Sequence, residues 1–190
     1  MKTVGVLGLQ GDFEAHRKAV ERAAGALGQA VRVTTVRTAA DLDKCDGLII
    51  PGGESTTMLK LLELEGLTQP ILQFAASRPV YGSCAGAILL AKQVTHPSQS
   101  SLALVDIEVE RNAYGRQIDS HISRVPSVEG EMEAVFIRAP IIRRAGPEVT
   151  ILASYQGNPV WVEEGRHMVT TFHPELSSDA LVHKRFLAKV

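Results

Sequence analysis

A cysteine between two glycines is the residue of this chain with the clearest capacity for chemistry. Cys84 stands in Gly-Ser-Cys-Ala-Gly (residues 82–86), after the short run 79–81 and before a helical pattern at residues 87–92. This order predicts a strand-to-helix turn that carries a thiol. The start of the following helix has a positive potential that favours thiolate over thiol, which suits a nucleophile. Free cysteine is also among the most buried residue types. The turn alone therefore supports a structural role for Cys84 nearly as well as a role as nucleophile.

A histidine later in the chain could activate that thiol. His173 follows the apolar, strand-like run 168–172 and precedes Pro174 and Glu175. In a nucleophilic triad the histidine accepts the thiol proton, and a carboxylate fixes the imidazole tautomer and stabilises the imidazolium. Cys84, His173 and Glu175 are therefore the candidate catalytic residues, and we expect folding to bring them within bonding distance.

A glycine-rich turn, Pro-Gly-Gly-Glu at residues 51–54, follows another predicted strand. Glycines there let backbone N–H groups face a ligand, because no Cβ is in the way. We expect the N–H groups of Gly53 and of Ala85, directly after the nucleophile, to form an oxyanion hole. The turn lacks the spacing of a phosphate loop, and its first charged residue is acidic. The alternative is a purely structural turn in which Ser55 caps a helix that begins near Thr56.

Apolar runs and helical patterns place the elements that must position these residues. The predicted strands cover residues 3–9, 30–36, 47–50, 79–83, 104–110, 117–124, 134–137, 149–154, 159–163 and 167–172, and the predicted helices cover residues 13–27, 56–64, 70–76, 87–92 and 179–190. Residues 163–166 look like a hairpin turn. No repeat, linker or low-complexity segment interrupts this pattern.

The alternation of strands and helices in the first half predicts an α/β fold of three layers. Its mostly parallel central sheet is flanked by helices and joined by right-handed crossovers, and the second half adds an antiparallel extension. In such sheets, sites form at the carboxyl ends of the strands. The loop 10–12, the loop 51–57 and the Cys84 turn all follow predicted strands, so we expect them to meet at one edge of the sheet.

Composition limits the possible partners and compartments. At 190 residues, the chain is expected to form a single domain over residues 1–190. With 20 basic and 21 acidic side chains it carries no electrostatic signal for nucleic acid or a membrane surface, so neither partner is expected. The apolar run 4–9 is too short for a signal peptide or a membrane span, which predicts a cytoplasmic location. The two cysteines, Cys45 and Cys84, are not expected to pair, and no metal-ligand spacing is present.

Several of these segments carry a resemblance to a known family. The cysteine turn, the Pro-Gly-Gly turn and the His-Pro-Glu segment together resemble the class I, triad-type glutamine amidotransferases. Longer segments resemble the family of glutaminase subunits of pyridoxal 5'-phosphate synthase, and they run from residue 7 to residue 176. They are Leu-Gly-Leu-Gln-Gly (7–11), Pro-Gly-Gly-Glu-Ser-Thr-Thr (51–57), Glu-Arg-Asn-Ala-Tyr-Gly-Arg-Gln (110–117), Phe-Ile-Arg-Ala-Pro (136–140) and Phe-His-Pro-Glu-Leu (172–176).

The resemblance implies hydrolysis of L-glutamine to L-glutamate through a cysteinyl thioester on Cys84. It further implies that the ammonia passes to a barrel-fold synthase subunit, with the loop of Gln10 and Gly11 as a contact or activation element. Pyridoxal 5'-phosphate would be a product of the complex, so no cofactor is expected in this chain. Either arginine of the implied pocket could hold the substrate α-carboxylate, since a guanidinium can bond a carboxylate through two parallel N–H groups. The implied glutamine-binding residues are Gly52, Gly53, Glu54, Arg111, Ile137 and Arg138.

Other interpretations remain open at this point. One is a glutaminase subunit of another pathway, such as histidine biosynthesis. Another is a cysteine hydrolase or stress protein of the related fold, and a third is a non-catalytic binding or regulatory module. His16 and His121 are interpreted as structural or surface histidines, because neither lies in a segment that completes a nucleophile or metal arrangement. Tyr114 and Trp161 are interpreted as packing residues.

Overall fold

The computed structural model of the chain describes residues 1–112 and 120–190. Its helices are α1 (Phe13–Leu27), α2 (Ala39–Leu42), α3 (Ser55–Leu64), α4 (Thr68–Ala75), α5 (Ala85–Leu90) and α6 (Leu181–Leu187), with a 3-10 turn at Pro174–Leu176. Its strands are β1 (Lys2–Leu7), β2 (Val31–Val36), β3 (Gly47–Ile50), β4 (Val80–Ser83), β5 (Ala91–Thr95), β6 (Val105–Glu110), β7 (His121–Ser127), β8 (Gly130–Phe136), β9 (Ile141–Ala145), β10 (Thr150–Tyr155), β11 (Asn158–Glu164) and β12 (His167–Thr170).

The central sheet has the strand order β2-β1-β3-β4-β12-β11-β10-β7-β8. Neighbours from β2 to β12 pair in parallel, and neighbours from β12 to β8 pair antiparallel. The expected α/β fold, a mostly parallel sheet with an antiparallel extension, is confirmed. The hairpin turn predicted at residues 163–166 joins β11 to β12, where Glu164 pairs with His167.

Apolar cores cover both faces of this sheet. Leu48 and Ile50 of β3 face a core shared with helices α3, α4 and α5, while Ile49 between them faces a core shared with α1 and α6. This division follows from the strand geometry, because successive side chains point to opposite faces. A strand buried on both faces is therefore apolar throughout, as β3 is.

Local capping explains why α1 has the bounds that the sequence predicts. The Asp12 side chain accepts a hydrogen bond from the N–H of Ala15 at the start of the helix. Gly28 ends it in the left-handed conformation, with φ at 64°, which costs a glycine little. Helix α1 thus begins directly after the loop of Gln10 and Gly11 and packs against α6.

The predictions fail mainly where short apolar runs are ambiguous between helix and strand. The helix predicted at residues 87–92 is α5, which ends at Leu90, and Ala91 begins β5 in a second sheet of order β5-β6-β9. Elements α2, β5 and β9 were not predicted. The closing helix spans Leu181–Leu187 rather than 179–190, since Asp179 instead accepts a hydrogen bond from the N–H of Leu181. Of the strand predicted at 117–124, residues 117–119 lie outside the described residues, and β7 begins at His121.

Candidate active site

The cysteine turn is built by close backbone packing. Cys84 adopts φ 49° and ψ −103° between the end of β4 and the start of α5. A Cβ on Gly82 would stand 2.5 Å from the carbonyl oxygen of Gly86, and one on Gly86 would stand 2.2 Å from that of Ile50. Side chains at these two positions would therefore force α5 away from the sheet. The glycines that flank the thiol allow the sharp turn that exposes it to the cavity.

Strand pairing brings His173 to this turn. Strands β4 and β12 are parallel neighbours with Ser83 opposite Thr170, so the chain leaves both strands at the same edge of the sheet. The N–H of Cys84 donates to the carbonyl of Thr170 at 2.9 Å, and the N–H of His173 donates to the carbonyl of Val135 on β8 at 2.8 Å. These two backbone hydrogen bonds hold both segments in place independently of the side chains of the site.

The three candidate catalytic side chains lie in a row. Nδ1–H of His173 donates to Oε1 of Glu175 at 2.7 Å, and the His173 ring and the Cys84 side chain are neighbours, since a Cβ on Gly52 would lie within 3.4 Å of both. Burial disfavours the imidazolium, but the bonds and charges of Cys84 and Glu175 outweigh it and raise the pKa of His173 to about 10. Burial likewise opposes ionisation of Glu175, while His16 and His173 hold the pKa of its carboxyl at about 2. The arrangement favours an imidazolium that is paired with the carboxylate of Glu175 and adjoins the side chain of Cys84.

The cavity beside these residues has a volume of about 460 Å³, within the range of roughly 300–1,000 Å³ typical of small-molecule sites. Its walls include the loops that end β1, β3 and β4, as expected for a parallel sheet, together with the segments that follow β6, β8 and β12. Among the residues singled out in the sequence, it is lined by Gln10, Gly53, Glu54, Cys84, Ala85, Arg111, Ile137, Arg138 and His173. Sγ of Cys84 lies 3.9 Å from the carbonyl oxygen of Ile137.

The glycine-rich turn packs tightly against the loop of Gln10 and Gly11. A Cβ on Gly11 would stand 1.9 Å from the carbonyl oxygen of Gly52, and Oε1 of Gln10 accepts a hydrogen bond from the N–H of Glu54 at 3.0 Å. Gly53 has φ 150°, which side chains rarely adopt. Ala85 is the first residue of α5, so its N–H has no partner within the helix and remains available to a ligand. Both expected oxyanion donors thus border the cavity.

Glu54, rather than Ser55, caps helix α3. Its carboxylate accepts bonds from the N–H groups of Thr56 at 3.0 Å and Thr57 at 2.7 Å, so the serine cap of the alternative interpretation is wrong. Although burial opposes its ionisation, bonds from Thr57 and Thr56 lower the pKa of Glu54 to about 2. A carboxylate here also suits the positive end of the helix. The same side chain lies 3.4 Å from the guanidinium of Arg111.

Arg111 is held in the wall of the cavity. Its guanidinium donates to Oγ1 of Thr56 at 2.9 Å and to Glu54 at 3.4 Å, and its side chain is only 14% exposed. Arg138, which also lines the cavity, is an exposed residue with φ 44°. Arg111 is therefore fixed beside the site and is not an ordinary solvated surface arginine.

Several residues of this region have roles that were not predicted from the sequence. Ser55, Ile88 and Asn112 also line the cavity, and each lies within four residues of a residue singled out in the sequence. His16 is fully buried, with Nε2 3.4 Å from Oε2 of Glu175. Its position on the apolar face of α1, with Ala19 and Ala23, was the available signal, since an imidazole on a buried face needs polar partners.

Other features bear on the remaining expectations. Residues 113–119, which include Tyr114 and most of the 110–117 segment, lie outside the described residues. In the described ranges, no three His, Cys, Asp or Glu side chains come together as a metal site, and no helix is long and apolar enough to cross a membrane.

Cys45 is a buried free thiol, and its pKa is raised to about 11, chiefly by burial and then by the charges of Asp41 and Asp46. His121 packs in a stack with Phe136 and Tyr155.

A cysteine, a histidine and a carboxylate at the carboxyl edge of a parallel α/β sheet define the class of triad-type enzymes with a cysteine nucleophile. Comparison with known proteins narrows the class. The chain belongs to the SNO glutamine amidotransferase family, whose model matches residues 6–190. The expectation of a glutamine amidotransferase is therefore confirmed.

Individual relatives and a solved structure agree with this family. The chain is 57% identical to "Pyridoxal 5'-phosphate synthase subunit PdxT" of Solibacter usitatus, with all of both chains covered. It is 50% identical to the protein of the same name from Koribacter versatilis, with 98% of this chain and 95% of the relative covered. A crystal structure described as a glutamine amidotransferase superposes with a TM-score of 0.89 at 40% identity, covering 98% of this chain and 97% of that one.

Proposed function

We propose that this chain is the glutaminase subunit of a pyridoxal 5'-phosphate synthase and acts as one glutamine amidotransferase domain over residues 1–190. Cys84, His173 and Glu175 hydrolyse L-glutamine to L-glutamate and ammonia. The observation that carries the proposal is the imidazole of His173, which contacts both the thiol and the carboxylate at the edge of the cavity. The family match and the full-length similarity to synthase subunits support the same conclusion.

In the first half of the reaction, the thiolate of Cys84 attacks the carbon of the glutamine side-chain amide. The carbonyl electron pair moves onto oxygen, where the N–H groups of Gly53 and Ala85 stabilise the negative charge. The imidazolium of His173 then gives its proton to the nitrogen as the carbon–nitrogen bond breaks. Ammonia leaves, and a thioester joins Cys84 to the glutamyl group.

In the second half, neutral His173 takes a proton from water, and the hydroxide formed attacks the thioester carbon. The carbon–sulfur bond breaks, L-glutamate leaves, and the thiolate of Cys84 is paired again with the imidazolium of His173. Glu175 accepts a hydrogen bond from Nδ1–H throughout, which directs the other ring nitrogen toward the reacting atoms. No cofactor takes part in either half.

The glutamine pocket is formed by residues that line the cavity. Arg111 and Arg138 supply positive charge for the substrate α-carboxylate, with Ile137 close to the thiol. The Glu54 carboxylate accepts four hydrogen bonds, one from Thr56, two from Thr57 and one from Arg111, so Glu54 acts mainly by holding the helix and the arginine. Gly52 and Gly53 form the adjoining turn. Alanine at either arginine should raise KM, and the larger increase identifies the carboxylate ligand.

The ammonia serves a second subunit. Ammonia protonates readily in water, so productive transfer requires a partner that encloses its path. The partner we propose is the barrel-fold synthase subunit, which contacts the exposed Gly11 and the adjoining Gln10 beside the cavity. Close similarity to synthase subunits over the full chain disfavours a glutaminase of histidine biosynthesis. The need for a reduced Cys84 suits the cytoplasm.

The test compares two cysteine variants in a glutamate-release assay, with and without the synthase subunit. Cys84→Ala should lower kcat by more than about 10³-fold, because only binding and oxyanion contacts remain. Cys45→Ala is the matched control, since Cys45 is the other buried thiol and has no ionisable partner at the cavity. Full activity in Cys84→Ala would refute the proposed nucleophile. Equal wild-type rates with and without the synthase subunit would count against activation by the partner.

A further inference from the structure

His16 lies on the side of Glu175 that is turned away from His173. It projects from the buried face of α1, together with Ala19, Val20 and Ala23, and it is fully buried. Polar side chains in an apolar core are retained only when their donors and acceptors find partners. The partners of this imidazole therefore show what it does.

The His16 ring contacts both segments that carry the candidate triad. Nε2 lies 2.9 Å from Oγ of Ser83, the residue before the nucleophile, and 3.4 Å from Oε2 of Glu175. Nδ1 lies 3.2 Å from Nε2 of His183 on α6. Oε1 of Glu175 is occupied by His173, whereas Oε2 is buried without a hydrogen bond of normal geometry and has Nε2 of His16 at 3.4 Å.

The protonation states follow from burial and from the direction of these contacts. Burial lowers the pKa of His16 and lowers that of His183 to about 3, so both rings are neutral near pH 7. Glu175 is ionised and can only accept. The arrangement that satisfies these atoms has Nε2–H of His183 donating to Nδ1 of His16. Nε2–H of His16 is then directed at Ser83 and Glu175.

We propose that His16 is a positioning residue for the triad, which holds the second oxygen of Glu175 and the end of β4 in fixed relation. This proposal rests on the proposed glutaminase function. The carboxylate would otherwise rotate about its side-chain bonds, and its free oxygen would compete for the imidazole of His173. With His16 in place, its N–H faces the second carboxylate oxygen at 3.4 Å, which favours the orientation of Glu175 that aims the imidazole of His173 at Cys84.

His16 also connects the triad to the loop beside the cavity. It lies one turn into α1, and the Asp12 cap of that helix adjoins Gln10 and Gly11. Gln10 in turn holds the N–H of Glu54. A displacement of the first turn of α1 would therefore move the His16 ring relative to Glu175. A conformational change in the loop of Gln10 and Gly11 can therefore alter the geometry of the triad through the side chain of His16.

The test compares two substitutions of His16, one that removes the hydrogen-bond donor of the side chain and one that keeps it. His16→Leu removes the donor and should lower kcat by about 10- to 100-fold, because a misplacement of about 1 Å costs that much, while KM stays within twofold. His16→Gln keeps an N–H near the position of Nε2, and its kcat should lie closer to that of the wild type. Both are measured by glutamate release from the full chain with the synthase subunit present.

Val20→Ala is the matched control, because Val20 is fully buried on the same helix and packs in the apolar core. It should lower Tm and leave kcat unchanged, which separates positioning from loss of stability. If His16→Leu does not fold, His16→Gln is compared with His16→Asn, whose shorter amide cannot reach Glu175. The glutamine variant should then be at least fivefold faster.

Equal kcat values for the variants with and without the donor would overturn the inference, as would an equal loss of kcat in Val20→Ala. A wild-type protein that releases no glutamate from glutamine would instead refute the proposed function. A fully active wild type with a fully active His16→Leu refutes only the role of His16. The two failures are therefore distinguishable in one experiment.

Discussion

Substitution of Gly52 by alanine should disable the triad while it leaves the fold intact. A Cβ on Gly52 would stand 2.5 Å from Cε1 of His173, about 0.9 Å closer than the 3.4 Å at which ordinary contact begins. The same Cβ would be 3.4 Å from Cβ of Cys84, which is tolerable. The backbone of Gly52 does not lie in the left-handed region, so alanine introduces no backbone strain. The clash therefore falls on the His173 ring.

The expected loss follows from the size of that displacement. Moving the imidazole by nearly 1 Å disturbs its bonds to Cys84 and Glu175, and a misplacement of this size costs about 10²-fold in rate, or roughly 3 kcal/mol of barrier. Gly25→Ala is the matched control, because no atom lies within 4 Å of its new Cβ. It lies within α1 and should stabilise the protein by about 0.5–1 kcal/mol without changing activity.

The assay is glutamate release with the synthase subunit present, together with thermal unfolding of each variant. We expect a kcat near 1% of the wild-type value for Gly52→Ala, with a Tm within a few degrees of the wild type. A kcat within threefold of the wild type would refute the reasoning, since it would mean that the ring tolerates the methyl group. A large fall in Tm would instead attribute the loss of activity to destabilisation of the fold.

Further predictions concern ionisation and packing. Glu175→Gln should lower kcat by about 10²-fold or more, and by less than loss of the nucleophile, because the imidazolium loses its anionic partner; unchanged kcat would contradict this role. Imidazole NMR should find His173 protonated up to a pH of about 10, while His167 stays neutral down to about 4 and His183 down to about 3. The pKa of His183 is lower in the folded chain than its unfolded value of about 6.5. The neutral ring therefore contributes fully to the free energy of unfolding above pH 6.5, and this contribution is lost as the pH falls toward 3. Urea unfolding at pH 7 and pH 4.5 should show this loss, and equal midpoints would argue against it. Gly86→Ala should destabilise the protein by about 1–3 kcal/mol, measured by the urea midpoint, because its Cβ meets the backbone of Ile50.

The sequence predicts those parts of the molecule whose signals are local. Asp12 and Gly28 mark the ends of α1, and the apolar residues 47–50 form the buried strand β3. The glycines around Cys84 likewise predict the turn that carries the thiol. Each of these depends on caps, turns or burial within a few residues, so no distant contact is needed to infer it.

Other features depend on contacts that no local pattern contains. Ser55 is of a residue type preferred at caps, but α3 begins at Ser55 itself, and Glu54 caps it with a carboxylate that also contacts Arg111, far along the chain. The helix predicted through Lys92 ends at Leu90, because Ala91 enters a sheet with β6. His16 has its partners on segments beyond residue 80, so only the folded chain reveals that it contacts Glu175.

The relative strength of two electrostatic effects determines what activates the thiol. Helix α5 follows Cys84 with only six residues, and a charge at a helix end typically gains about 0.3–1 kcal/mol. The pKa of His173 is raised to about 10, because the bonds and charges of Cys84 and Glu175 outweigh its burial, so the imidazolium is favoured beside the thiol. The imidazolium carries a full positive charge, whereas the helix terminus that the sequence suggested carries about half of one. It follows that the reactivity of Cys84 depends chiefly on how Glu175 holds the imidazole, and hence on the residues that hold Glu175.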